Sequence, residues 1–212
     1  MNIPRLFVVI SLAVLLIDGI VGCLYEDIGI VVRSLIFGLG VPFLYTLSTI
    51  FIRPPALLAL WRNDVVLAFM TCFLAFHVTI CLLPPLVIYD SIIDSFSFSH
   101  FLGGMSIWIA VAFAMFYSEE ELGMNDKEAY VLSFAVLLLL ACYWEVAEYF
   151  AGNKIPGFDF REPILGRIAD VIFGTLGAFT AFCMVKSGVV SLKSRRSYYA
   201  LPSYVTSRFT GG

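Results

Sequence analysis

The chain has 212 residues, of which 60% are hydrophobic and 14% are charged, and its formal net charge is −3. Soluble domains are typically about 45–50% apolar and about 25% charged. This composition therefore excludes an ordinary soluble domain and predicts an all-α, polytopic membrane protein. The slightly negative charge and the absence of any basic, aromatic-rich stretch argue against nucleic acid as a partner, so membrane lipids are the expected partner.

Six stretches are long enough to cross the hydrocarbon layer, which takes about 20 helical residues. The first stretch looks like a signal peptide, but we expect it to be retained as a transmembrane helix. All six should form a single transmembrane domain over residues 1–190, and residues 191–212 read as a flexible basic tail. The predicted spans are residues 6–24, 32–52, 65–88, 99–118, 129–150 and 168–190.

Three ionisable residues lie within the first three spans. Asp18 and Arg33 stand near helix ends, and we expect both side chains to reach the membrane interface. His77 falls in mid-membrane, where it is either a hydrogen-bonded structural residue or a proton relay or ligand.

A pair of carboxylates ends the fifth span. Glu145 and Glu148 are three residues apart in the motif Trp144 to Tyr149, so they share one face of a helix. A carboxylate at or just inside the membrane surface is costly unless it has a partner or a functional role. The two glutamates are therefore the first candidates for a functional site.

The fourth and sixth spans each present one polar residue beside glycines. His100 is followed three and four residues later by glycines, and Asp170 is followed four and seven residues later by glycines. Residues at these spacings share a helical face, and glycines there permit close helix approach. Ser97 or Ser99 is the expected N-cap of the fourth span.

With single crossings, these polar residues all lie at one face of the membrane, together with Asp94 in the loop before the fourth span. Nine of the thirteen Lys and Arg residues lie on the opposite side, five of them after residue 185. Positive residues favour the cytoplasmic side. We therefore predict a multi-pass protein of the cell membrane with both termini cytoplasmic and the polar residues outside.

Three segments carry a resemblance to a known family. They are residues 94–104 (DSFSFSHFLGG), 144–149 (WEVAEY) and 169–178 (ADVIFGTLGA). In these segments the chain resembles the uncharacterised YjdF-like membrane proteins and, more distantly, the VanZ-like group, over the C-terminal half. The resemblance implies a compact helical membrane domain and supplies no established reaction.

The polar residues support three hypotheses. In the first, His100, Glu145 and Asp170 hold a divalent metal, with Glu148 as general base and Asp94 as a further catalytic carboxylate. The protein is then a hydrolase or transferase that acts on a lipid, a lipid-linked molecule or another small molecule. Without a metal, two neighbouring carboxylates form an acid–base pair.

The second hypothesis is a proton- or cation-coupled transporter that also uses His77, Asp18 and Arg33. The third is a non-catalytic scaffold whose polar residues clasp the last three helices. The sequence contains no CxxC pair, HExxH motif, GxSxG motif or phosphate-binding glycine loop. The sequence determines neither the oligomeric state nor which of the three hypotheses is correct.

Overall fold

The computed structural model describes residues 3–50, 63–82, 95–152 and 164–192, and this part of the chain contains six helices and no strand. The predicted all-helical bundle is thus confirmed. Five of the helices, α1 and α3 to α6, are individually long and apolar enough to cross a membrane. The helices are α1 (Ile3–Leu24), α2 (Ile28–Ile50), α3 (Asp64–Leu82), α4 (Ser95–Leu122), α5 (Asp126–Gly152) and α6 (Ile164–Lys186).

Several helix bounds differ by a few residues from the predicted spans, and the predicted N-cap of the fourth span was wrong. Helix α4 begins at Ser95, so Ser97 and Ser99 lie inside the helix and neither is its N-cap. Helix α6 ends at Lys186 instead of 190, because Gly188 adopts a φ of 77°, which ends the helix. The predicted continuation of the third span over residues 83–88 and the tail over residues 193–212 lie outside the described residues.

Polar residues fix the starts of three helices. The side chain of Asp27 accepts a hydrogen bond from Ile30 N at 3.1 Å at the start of α2. Asn63 Oδ1 accepts bonds from Val65 N and Val66 N before α3. Asn125 and Glu128 exchange side-chain and backbone hydrogen bonds before α5. Each arrangement satisfies backbone N–H groups that a helix end leaves without a partner.

The helices form two units of three, each with its own core. Leu15, Ile30 and Val78 form a small buried cluster among α1, α2 and α3. A larger cluster around Trp108 and Leu137 joins α4, α5 and α6 and also includes Val66 from the start of α3. Helix α3 packs against α4 and connects the units, and α4 and α6 share the most extensive helix–helix contact.

Contacts at one end of the bundle agree with alternating crossings. Arg5 at the start of α1 makes a 2.9 Å ion pair with Asp64 at the start of α3. The ammonium of Lys186 at the end of α6 lies 4.4 Å from the centre of the Tyr130 ring near the start of α5. The opposite end of the bundle therefore carries the ends of α1, α3 and α5 and the starts of α2, α4 and α6, where the predicted site residues lie.

Candidate functional site

Helices α4, α5 and α6 bring His100, Glu145 and Asp170 together near that end. Nδ1 of His100 lies 3.9 Å from Oε1 of Glu145, and Nε2 lies 3.3 Å from Oδ2 of Asp170. Both carboxylates are buried, with Glu145 9% and Asp170 3% exposed, and His100 is half-buried. We call these three residues the polar cluster.

Glycines allow α4 and α6 to approach closely enough to form this cluster. A Cβ on Gly104 would overlap the backbone carbonyl of Gly174, and a Cβ on Gly177 would overlap the carbonyl of Phe101. The first of these contacts lies one helical turn beyond both His100 and Asp170. The small-residue face predicted from the glycine spacing is therefore a helix–helix interface, and it fixes how near the two side chains come.

Arg167 adds a positive charge beside the cluster. Its guanidinium donates a 2.9 Å hydrogen bond to the backbone oxygen of Glu145 and lies 5.5 Å from the centre of the Tyr149 ring. These contacts tie the start of α6 to the end of α5. They also hold a permanent cation three residues before Asp170, on the same face of α6.

The polar cluster has the donor set of a divalent-metal site. One ligand atom from each of His100, Glu145 and Asp170 lies within 4.8 Å of the other two. A tetrahedral ion with bonds of about 2.0–2.2 Å holds its ligand atoms about 3.3–3.6 Å apart. The residues therefore fit an ion after a small inward movement of the most distant pair, and three protein ligands would leave a coordination position open.

The same residues also fit a metal-free arrangement. His100 presents one ring nitrogen to each carboxylate, and an imidazolium carries an N–H on both nitrogens. In that form the histidine bridges Glu145 and Asp170 electrostatically and links three helices. The acid–base and helix-clasp hypotheses thus remain open beside the metal hypothesis.

The polar cluster forms part of the wall of a cavity of about 410 Å³. Helices α3 and α5 each pack against α4, and the cavity lies between α3 and α5. Residues of α4 and α6 and Phe37 of α2 also line the cavity. Apolar side chains such as Phe73, Ile107 and Leu140 make up most of the lining. The polar residues in the lining are His77, Ser99, His100, Glu145 and Asp170, with Tyr143 and Trp144 at its exposed margin.

His77 makes a contact that the sequence did not reveal. Its Nδ1 lies 2.8 Å from Oγ of Ser99 on α4, and both residues line the cavity. His77 is therefore hydrogen-bonded, as one of the two sequence readings expected. Ser99 was missed as a site residue because the pattern favoured a helix cap; the sequence offered no signal that joined it to a histidine 22 residues earlier.

Asp18 does not reach the interface, so that expectation was wrong. Its side chain is 4% exposed and accepts a 2.8 Å hydrogen bond from Thr79 Oγ1 on α3. Arg33 is half-buried on α2, so its predicted position at the interface stays a prediction. The polar partner offered by α3 keeps the Asp18 carboxyl group inside the first three-helix unit.

The two candidate catalytic carboxylates are placed differently. Glu148 is half-buried one turn after Glu145, and it belongs neither to the polar cluster nor to the cavity lining. Asp94 lies outside the described residues, immediately before α4 begins. The structure thus brings together the three predicted metal ligands and leaves the roles of Glu148 and Asp94 as predictions.

Comparisons with protein-family models, with curated proteins and with solved structures gave no match. The functional conclusion therefore depends on the site alone.

Proposed function

We propose that the protein is a membrane-embedded hydrolase or transferase in which His100, Glu145 and Asp170 bind a divalent metal. The substrate is a lipid or lipid-linked molecule that occupies the adjoining cavity. The observation that supports this proposal is the position of three ligating residues in the wall of a largely apolar cavity of about 410 Å³. Most pockets that bind small molecules are likewise apolar, with a few convergent polar groups.

The negative charge of the two buried carboxylates favours a bound metal ion over a polar cluster without a counter-ion. Two buried carboxylates in the membrane interior are costly as anions, and a divalent cation would balance their combined charge. When bound, such an ion polarises a carbonyl or phosphoryl oxygen or lowers the pKa of a bound water. Glu148, one turn from Glu145, is the candidate general base, and Asp94 is the candidate for a further catalytic carboxylate.

The location of the cavity suggests how a lipid reaches it. Leu140, Tyr143 and Trp144 are exposed on α5 beside the lining, so this part of the wall faces the surrounding lipid. An acyl or isoprenoid chain can then pass sideways between α3 and α5 while its polar head stays at the polar cluster. Aromatic side chains at the margin suit the membrane–water boundary.

The cellular setting is part of the proposal. We place the protein in the cell membrane with both termini cytoplasmic, so that the polar cluster faces the outside. We also propose that the chain is a relative of the YjdF-like and VanZ-like membrane proteins, on the three sequence segments that resemble them. These assignments affect which lipids are screened first and leave the chemistry of the cluster unchanged.

The direct test is metal content. Wild-type protein purified in detergent should carry about one divalent ion per chain by elemental analysis. A double variant, His100→Ala with Glu145→Gln, should lose the ion, and Asp18→Asn, which alters a buried carboxylate in the other three-helix unit, should keep it. Equal metal content in the double variant, or no metal in the wild type after a metal soak, would overturn the proposal.

A transporter is the second candidate. The hydrogen-bonded pairs His77–Ser99 and Asp18–Thr79 place polar groups in both three-helix units, and intramembrane ionisable residues often form proton or ion paths. However, these groups and the polar cluster all lie in the half of the bundle that carries the starts of α4 and α6. A complete path needs polar groups at several depths, so the enzyme is the better-supported function.

A further inference from the structure

We propose that Ser99 and His77 are a nucleophile and its general base, and that the cavity catalyses acyl transfer from an ester with an apolar acyl chain. The inference rests on the proposed function for one point, that the cavity is the substrate site. It adds the attacking group and narrows the substrate class from lipids in general to acyl esters.

The distance between the two side chains fits a serine and its general base. Ser99 Oγ lies 2.8 Å from Nδ1 of His77, and we assign His77 the tautomer whose Nδ1 carries no proton, so that the hydroxyl donates to it. The two residues come from different helices and both line the cavity. Ser99 is only 2% exposed, so the cavity wall beside it must open to admit the ester carbonyl.

The surroundings hold the imidazole in place. The His77 ring packs edge-on against Phe37, with 6.4 Å between ring centres, and lies tilted against Phe73, with 6.1 Å between ring centres. Two aromatic neighbours restrict rotation of the ring. A general base is effective when its lone pair is held within hydrogen-bonding distance of the proton it takes, and this packing provides that condition for Nδ1.

The reaction balances with water or a second alcohol as its only co-reactant. Ser99 Oγ forms a bond to the carbonyl carbon of the ester, and its proton moves to Nδ1 of His77. The bond from that carbon to the alcohol oxygen breaks, and the leaving oxygen takes the proton from His77. Water or a second alcohol then attacks the Ser99 ester with His77 again accepting its proton, so that an acid or a new ester leaves and Ser99 regains its proton.

The position of Ser99 connects this pair to the polar cluster. Ser99 directly precedes His100 in α4, and both residues line the same cavity. An ester group attacked by Ser99 therefore lies on the side of the cavity that carries the cluster. The apolar lining around Phe73 and Ile107 is left for the acyl chain.

Ser106 is a matched control on the same helix. It is also 2% exposed, but its hydroxyl donates to the backbone oxygen of Phe69 and it lies outside the cavity lining. A hydrogen bond that only joins helices would make the two serines equally unreactive. A nucleophile–base pair makes Ser99 alone reactive.

The test uses an alkyl fluorophosphonate, which forms a covalent bond to activated serines, on wild-type protein in detergent with peptide mapping of the adduct. We expect an adduct at Ser99, retained in Ser106→Ala and absent from Ser99→Ala. His77→Asn keeps a side-chain hydrogen-bonding group without the base, and should slow labelling about 100-fold. Metal content is measured on the same samples.

The outcomes separate the two proposals. A wild-type protein that binds metal and gives no Ser99 adduct overturns the nucleophile assignment and leaves the metal site standing. A Ser99 adduct in protein that binds no metal supports the nucleophile and overturns the metal site. Equal labelling rates in wild type and His77→Asn would show that His77 is not the base, and an adduct at another serine would refute the pair.

Discussion

Gly104 of α4 lies directly against the backbone carbonyl of Gly174 in α6, with no space for a side chain between them. This contact is one turn beyond His100 on one helix and one turn beyond Asp170 on the other. The separation of the His100 and Asp170 side chains, 3.3 Å between Nε2 and Oδ2, is therefore set by the approach of the two backbones.

We expect Gly104→Ala to destabilise the protein, because a methyl group at this position overlaps the Gly174 carbonyl and must push the helices apart. Overpacking of this kind costs about 1–3 kcal/mol. Thermal unfolding in detergent should show a lower midpoint, and metal binding should weaken because His100 and Asp170 move apart.

Gly38→Ala is the matched control for that experiment. A Cβ at Gly38 would lie 3.8 Å from the nearest atom, Leu15 Cβ, which is ordinary contact. This variant should be neutral or slightly stabilising, since alanine favours a helix over glycine by up to about 1 kcal/mol. If Gly104→Ala were as stable as Gly38→Ala, the glycine contact would not control the helix separation.

The helices and the polar cluster were predictable because each follows from local periodicity. Long apolar runs give transmembrane helices, and the spacing of His100 and Asp170 from their glycines assigns each residue to a packing face. Counting crossings then places both at one end of the bundle. None of these steps needs knowledge of which helices are neighbours.

The inward contacts of the first three helices were not predictable in the same way. Whether Asp18 reaches the interface or turns inward depends on α3 presenting Thr79 to it, and a single sequence does not show that pairing. Ser99 was misread for a related reason, since a serine near a predicted helix start favours capping. The observed start at Ser95 removes that role and turns Ser99 towards His77.

The Asp18–Thr79 hydrogen bond should contribute measurably to stability. Thr79→Val keeps the shape of the side chain and removes the donor, so we expect a loss of about 0.6–2 kcal/mol, the range found for polar pairs between membrane helices. Thr180→Val is the control, because the Thr180 hydroxyl donates its hydrogen bond to the backbone oxygen of Leu176 within its own helix. Unfolding in a denaturing detergent measures the stability of both variants. Equal losses of stability would show that the Asp18–Thr79 hydrogen bond does not stabilise the protein.

Filling the cavity should separate lipid binding from metal binding. Ala141 lines the cavity beside Leu140, and Ala141→Phe would occupy part of its volume while leaving all three donor residues in place. We expect weaker binding of a fluorescent fatty acid and unchanged metal content. Ala135→Phe, at an exposed position on the same helix, should alter neither. Unchanged fatty-acid binding in Ala141→Phe would place the lipid elsewhere.

The orientation of the bundle is tested at two exposed positions near opposite ends. Glu26 lies between α1 and α2 at the end that carries the polar cluster, and Lys127 lies at the start of α5 at the other end. In a background without native cysteines, Glu26→Cys should react with an impermeant maleimide added to intact cells, because the excess of Lys and Arg places the Lys127 end in the cytoplasm.

Lys127→Cys should react with the same reagent only after the cells are opened. Each single-cysteine variant is its own control, because total reactivity is measured after permeabilisation. The reverse pattern would place the polar cluster on the cytoplasmic side. The substrate would then come from the inner leaflet, and the metal chemistry proposed for His100, Glu145 and Asp170 would be unaffected.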